Sequence, residues 1–163
     1  MKNTFLVLGY NNTRISDVVK IRSLAKKHFD ASVVLCKPRP TTEDQQAVDD
    51  TIDVSLTAAP ENRTTVLESC RRKDLKIIGI LPFSDQGTQL GASLSKELHL
   101  PGGDPNLIRA ALHKFEFRLS ETQQSTIPNF YYPIKAELIT SKSDLERFMA
   151  TMNNVAFLKP AQE

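Results

Sequence analysis

The residues best placed to do chemistry follow the most apolar run of the chain. Lys76-Ile77-Ile78-Gly79-Ile80-Leu81-Pro82 reads as a parallel strand, and Ser84-Asp85-Gln86-Gly87 comes directly after it. Open α/β sheets bind ligands outside the carboxyl ends of their strands, so Asp85 stands at the ligand edge of such a sheet. Ser84 or Asp85 is equally suited to cap the helix that follows. Two lysines are the other candidates. Lys114 lies on a helix whose apolar stripe is Ile108, Ala111, Leu112, Phe115 and Leu119, with Arg118 one turn further on. Lys159 ends the apolar run Val155-Ala156-Phe157-Leu158. Taken alone, Lys114 and Arg118 suit flanking charges whose stems cover a core.

Other chemistries are excluded by their motifs. Gly9 follows the first strand, but Tyr10-Asn11-Asn12 replaces the rest of a GxGxxG, so the dinucleotide fingerprint fails at its second glycine. The chain has no GxxxxGK[ST], no GxSxG and no HExxH. Cys36 and Cys70 lack CxxC spacing and lie on apolar segments, which predicts buried free thiols. His28, His99 and His113 share no ligand spacing and read as surface or capping residues, so no metal site is expected. Lys plus Arg is 21 against 19 for Asp plus Glu, a balance without the basic footprint of a nucleic-acid binder. The apolar runs fall well short of the roughly 20 residues that span a membrane. Met1-Lys2-Asn3-Thr4 does not resemble a secretory signal. Cytoplasmic residence is therefore expected.

Positioning these residues requires alternating strands and helices. Thr4–Tyr10 is an apolar strand ending at a glycine, and Val18, Ile21, Ala25 and Phe29 mark one helical face after it. Ser32–Cys36 is a second strand, closed by Pro38 and Pro40. Acidic and polar residues from Thr41 to Asp53 predict a surface connection, with Val54–Ala58 as a short third strand. A helix over Asn62–Arg72 would bury Val66, Leu67 and Cys70. The near-continuous apolar character of Lys76–Pro82 predicts cover on both faces. A helix near Gln86–Leu98 carries Leu90, Leu94 and Leu98. Asp104-Pro105 opens the helix that bears Lys114, with an acidic N-cap and proline in the first turn. Phe130-Tyr131-Tyr132 is strand-like, Ser143-Asp144-Leu145-Glu146 reads as a capping box, and Val155–Leu158 reads as a final strand. The order favours an open, mainly parallel Rossmann-like α/β sheet with helices on both faces. A terminal strand with nothing to cover it predicts that the chain is a piece of a longer protein.

The stretch from Leu100 onward resembles ATP-grasp ligases, particularly their biotin-carboxylase and carbamoyl-phosphate-synthase branch. The counterparts of that family's motifs are Leu100-Pro101-Gly102, His113-Lys114, Arg118, Thr126-Ile127-Pro128 and Phe157-Leu158-Lys159-Pro160, in the family's order over the last 80 or so residues. His113 stands where the family usually has aspartate. The resemblance implies a pre-ATP-grasp domain over residues 1–126 and the start of an ATP-grasp domain over 127–163. It also implies that Lys114 and Lys159 reach ATP, Lys159 at the phosphate oxygens, where a compact ammonium neutralises charge moving toward the transition state. Asp85 would lie on the acceptor-substrate side. The implied activity belongs to the parent protein: with ATP and magnesium, a carboxylate or bicarbonate becomes an acyl phosphate that an amine or another nucleophile attacks. The metal ligands would lie beyond Glu163. A non-catalytic Rossmann-like module binding a partner or small ligand is the alternative.

Overall fold

The computed structural model describes residues 1–123, 128–132, 134–153 and 155–160. Four strands, β1 (Lys2–Leu8), β2 (Ser32–Lys37), β3 (Asp50–Asp53) and β4 (Leu75–Pro82), form one sheet in the order β3-β2-β1-β4. Every pairing is parallel. The helices are α1 (Ile15–Phe29), α2 (Thr42–Ala47), α3 (Pro60–Arg72), α4 (Asp85–Glu97), α5 (Pro105–Leu112), α6 (Lys114–Thr122) and α7 (Lys142–Thr151). They fall into two compact units, residues 1–108 and 109–163. Among the described residues, no helix is long and apolar enough to cross a membrane.

The first unit is built on strand alternation. Leu6 and Leu8 of β1, with Val34 and Cys36 of β2, face Val66 and Cys70 of α3 and Leu90 and Leu94 of α4. Val7, Val33 and Leu35 point the other way, against Val18 and Ala25 of α1 and Ala47 of α2. Successive strand residues point to opposite faces, so both faces of β1 and β2 are buried and both carry helices. That is the doubly covered parallel sheet expected from the order of elements.

Several local expectations are corrected. The polar stretch after Pro40 holds both α2 and β3. Thr41 and Asp44 form a capping box, which starts a helix that apolar periodicity does not reveal. The third strand is Asp50–Asp53, not Val54–Ala58, because pairing with β2 ends at Lys37 opposite Asp53. Val54 and Leu56 are nevertheless buried in the core. β4 is an edge strand and not a fully covered one, which leaves Leu81 38% exposed.

The second unit departs further from the sequence reading. The helix expected to run through Lys114 breaks at His113, whose Nδ1 accepts the Glu116 amide at 3.3 Å and caps α6. Leu112 and Leu119, on the expected stripe, are exposed. α7 is capped by Ser141, two residues before the expected Ser143, with the Asp144 amide donating to Ser141 Oγ at 3.2 Å. Phe130–Tyr132 holds no strand, and the Tyr131 amide closes a turn on the Pro128 carbonyl at 2.8 Å. Val155–Leu158 is not a strand either, and Phe157 is 93% exposed. Of the family motifs, Thr126 and Ile127 lie outside the described residues, as does the chain after Pro160.

Close approach of α4 to β1 yields a stability prediction. A Cβ on Gly87 would lie 2.6 Å from the Leu8 carbonyl oxygen and 2.8 Å from Leu8 Cβ. Alanine is the better helix former by up to about 1 kcal/mol, yet here it would press on backbone that cannot move aside. Gly87→Ala is expected to destabilise the chain by about 1–3 kcal/mol, the range for overpacking, measured as a lower denaturant midpoint.

Candidate functional site

The order β3-β2-β1-β4 makes the chain cross from one side of β1 to the other after β3. Such a switch point leaves a crevice at the carboxyl ends of the two strands that flank it. Here those strands are β1 and β4, and the loops at the crevice are Gly9–Asn11 and Phe83–Ser84. They are drawn close together. The Gly9 amide donates to the Cys36 carbonyl at 2.9 Å, and the Phe83 amide donates to the Leu8 carbonyl at 3.1 Å. Gly9 has φ +63°, and a Cβ there would lie 2.4 Å from Ser84 Oγ, so the loop needs glycine twice over.

Asp85 is the first residue of α4 and is exposed at this crevice. Ser84 occupies the N-cap position, but its hydroxyl makes no cap and donates instead to the Leu8 carbonyl at 3.4 Å. A carboxylate in the first helical turn complements the partial positive charge of the helix N-terminus. Asp85 thus combines a local stabilising role with an exposed position beside the crevice.

A second feature of this edge escaped the sequence reading. Asp44 is fully buried, with 0% of its surface exposed, and it gathers partners from three elements. The Tyr10 hydroxyl, beyond the end of β1, donates to Oδ1. Lys37 Nζ, from the last residue of β2, donates to Oδ2 at 2.9 Å. The Thr41 amide and hydroxyl donate to Oδ2 at 2.7 and 3.0 Å. The Lys37 ammonium also sits 4.8 Å from the centre of the Tyr10 ring, a cation–π distance. Burial pushes the Asp44 carboxyl up, but the hydrogen bonds from Tyr10, Thr41 and Lys37 outweigh it and hold the group down at about 2. Burial, then the bond to Asp44, raises the Tyr10 phenol above its ordinary range. Across the crevice, the Arg14 guanidinium lies 4.5 Å from the Phe83 ring centre. The signal available in sequence was Thr41-Thr42-Glu43-Asp44, a capping box shortly after the end of a strand.

The two lysines belong to the second unit. Lys114 is the first residue of α6 and is half-buried, and Lys159 is exposed in the segment after α7. Arg118 is bound to Glu121 at 2.7 Å, and Glu121 also accepts the Tyr131 hydroxyl. Cys36 and Cys70 are buried free thiols, as expected, and burial lifts Cys70 to about 11. Both are therefore poor nucleophiles at neutral pH. Among the described residues, no three His, Cys, Asp or Glu side chains converge as a metal site would need.

The architecture has relatives among solved structures. A phosphoribosylglycinamide synthetase from Anaerococcus prevotii matches 91% of this chain with a TM-score of 0.57 and 12% identity. An L-amino acid ligase from Bacillus licheniformis matches 94% with a TM-score of 0.56, also at 12% identity. The likeness is one of fold. This chain spans 35% of the synthetase and 42% of the ligase, well under half of either. No family model and no curated protein sequence matches the chain.

The buried carboxylate gives the sharpest prediction for this region. Its native affinity for protons lies below the ordinary 3.8, so its stabilisation is complete above that value and is lost as pH falls through about 2. Linkage sets that stabilisation at about 2 kcal/mol. Asp44→Ala is expected to cost about 3 kcal/mol at neutral pH. That is the lower end for removing one partner of a buried pair, because Lys37 keeps 18% exposure and some water. The difference between the variant and the parent chain should shrink on acidification. Denaturant titrations at pH 7 and pH 3 measure it, and a pH-independent difference would contradict the assignment.

Proposed function

We propose that the chain is the N-terminal part of an ATP-grasp ligase, with a pre-ATP-grasp domain over residues 1–126 and the beginning of the ATP-grasp domain over 127–163. The observation that carries this reading is a conjunction. A parallel sheet of order β3-β2-β1-β4 shares its fold with a synthetase and a ligase. The ordered motifs from Leu100-Pro101-Gly102 to Lys159-Pro160 independently resemble the same class. Fold alone is compatible with many activities; the motif order narrows the choice.

In this reading ATP supplies the phosphoryl group that turns a small-molecule carboxylate, or bicarbonate, into an acyl phosphate for attack by an amine or another nucleophile. Lys159, exposed and carrying three donors, suits phosphate oxygens. Lys114, at the first position of α6, adds a second ammonium beside a helix N-terminus, where anions are favoured. Asp85 faces the acceptor side from the switch point. Magnesium has no fitting set of ligands among the described residues, and its ligands and those of adenine belong to the remainder of the proposed parent.

The test uses a longer form of the protein that continues beyond Glu163. Calorimetry is expected to show ATP binding that Lys159→Ala weakens about tenfold or more, the loss of one charge-assisted hydrogen bond. Unchanged affinity in the variant would remove Lys159 from the site. Failure of the longer protein to bind ATP at all would overturn the ligase reading in favour of a non-catalytic module.

A further inference from the structure

The structure assigns a role to Asp44 that goes beyond helix capping: we propose that it is the positioning residue of the crevice mouth, fixing the path of the β1–α1 loop through Tyr10. The proposal rests on the reading that this crevice is the acceptor side of a ligase. Three observations lead to it.

First, the loop from Gly9 to Arg14 is anchored at its ends by different means. Gly9 is held to β2 by the bond from its amide to the Cys36 carbonyl, and Ser84 of the β4–α4 loop leaves no room for a side chain on it. Arg14 is held over Phe83 and by Asp17, with Nε 2.9 Å from Oδ2. Between those ends, Tyr10 supplies a further side-chain tie, and its partner is Asp44. Second, Asp44 is bound at the same time to Lys37 and to Thr41. One carboxylate therefore fixes the ends of β1 and β2 and the start of α2 in a common frame. Its two oxygens are both occupied, Oδ1 by Tyr10 and Oδ2 by the other donors, so the frame has no slack in it.

Third, the arrangement is neutral as a whole. The Lys37 charge is matched by Asp44, and Tyr10 shields the ammonium with its ring. A matched, buried cluster is poorly suited to attract a ligand's charge. It is well suited to hold backbone still, so that loop amides and Asp85 meet a ligand without the cost of ordering a loop.

Site-resolved amide hydrogen exchange on the 163-residue chain tests this directly. Tyr10→Phe keeps the ring and deletes only the hydroxyl's bond to Asp44. Exchange at Gly9 and Arg14, whose amides donate to the Cys36 and Asn11 carbonyls, is expected to accelerate about tenfold, the scale of one hydrogen bond to a charged acceptor. Amides of Leu6, Val34 and Leu90 should keep their rates. Val66→Ala lowers global stability from within the core, away from Asp44 and its partners, and it should leave the loop no faster than the core. Equal acceleration of loop and core in Tyr10→Phe would reduce the network to general stability and overturn the proposal. An unaltered loop would do the same. Neither outcome depends on turnover, so the absence of ATP binding in the longer protein would sink the ligase reading and leave the exchange result to be judged by itself.

Discussion

The carbonyl end of β1 is the point on which the first unit depends. Leu8 is fully buried, pairs with Cys36 on one side and Pro82 on the other, and its carbonyl receives both the Phe83 amide and the Ser84 hydroxyl. Everything that approaches it must be small or must be backbone. Gly87 brings α4 down onto this carbonyl, and Gly9 lets the next loop turn away beneath Ser84. A parallel sheet places its ligand crevice where two crossovers part, and here the width of that crevice is set by how closely those glycines allow the chain to pass.

Much of this frame was legible because burial on both faces leaves a plain signature. Phe5-Leu6-Val7-Leu8 and Val33-Val34-Leu35-Cys36 are apolar without interruption, as strands covered by helices on two sides must be. β3 escaped for the opposite reason. Within Asp50–Asp53 only Ile52 is buried, and the strand exists because its backbone pairs with β2. Hydrogen bonding between distant segments is invisible to a reading of apolar pattern. α2 was hidden in the same way: its start is specified by two polar side chains, and its single turn and a half carries almost no apolar stripe.

The second unit shows the complementary limit. A stripe at helical spacing identifies a face that could be covered, but it names no partner. Ile108, Ala111, Leu112, Phe115 and Leu119 have the right spacing for one helix, yet His113 divides them between α5 and α6. Imidazole is a competent cap acceptor, and a cap that starts a new helix outweighs continuity of the stripe. Val155–Leu158 likewise has strand composition without a ladder, so its β-propensity had only a local basis. Motif order is a signal of another kind, since order survives when a helix breaks or a strand goes unpaired. Geometry does not follow from order, and the placement of Lys114 and Lys159 on a helix start and an exposed segment could not be deduced from their spacing.

The Asp44 cluster raises the question of why a core adjoining two apolar layers should contain a charge. Stability alone is a poor reason, because exchanging a buried ion pair for apolar residues of similar volume often costs nothing. Apolar side chains, however, would leave the direction of Tyr10 undetermined: a ring packed among aliphatic groups can shift by fractions of an ångström at little cost, while a hydroxyl bound to a fixed carboxylate cannot. Gly9 makes the need greater, since glycine frees the loop to turn and supplies nothing to hold it afterwards. The flexible residue and the rigid network are therefore two halves of one solution. The first permits the chain to leave β1 at the required angle, and the second selects that angle from the many that glycine allows.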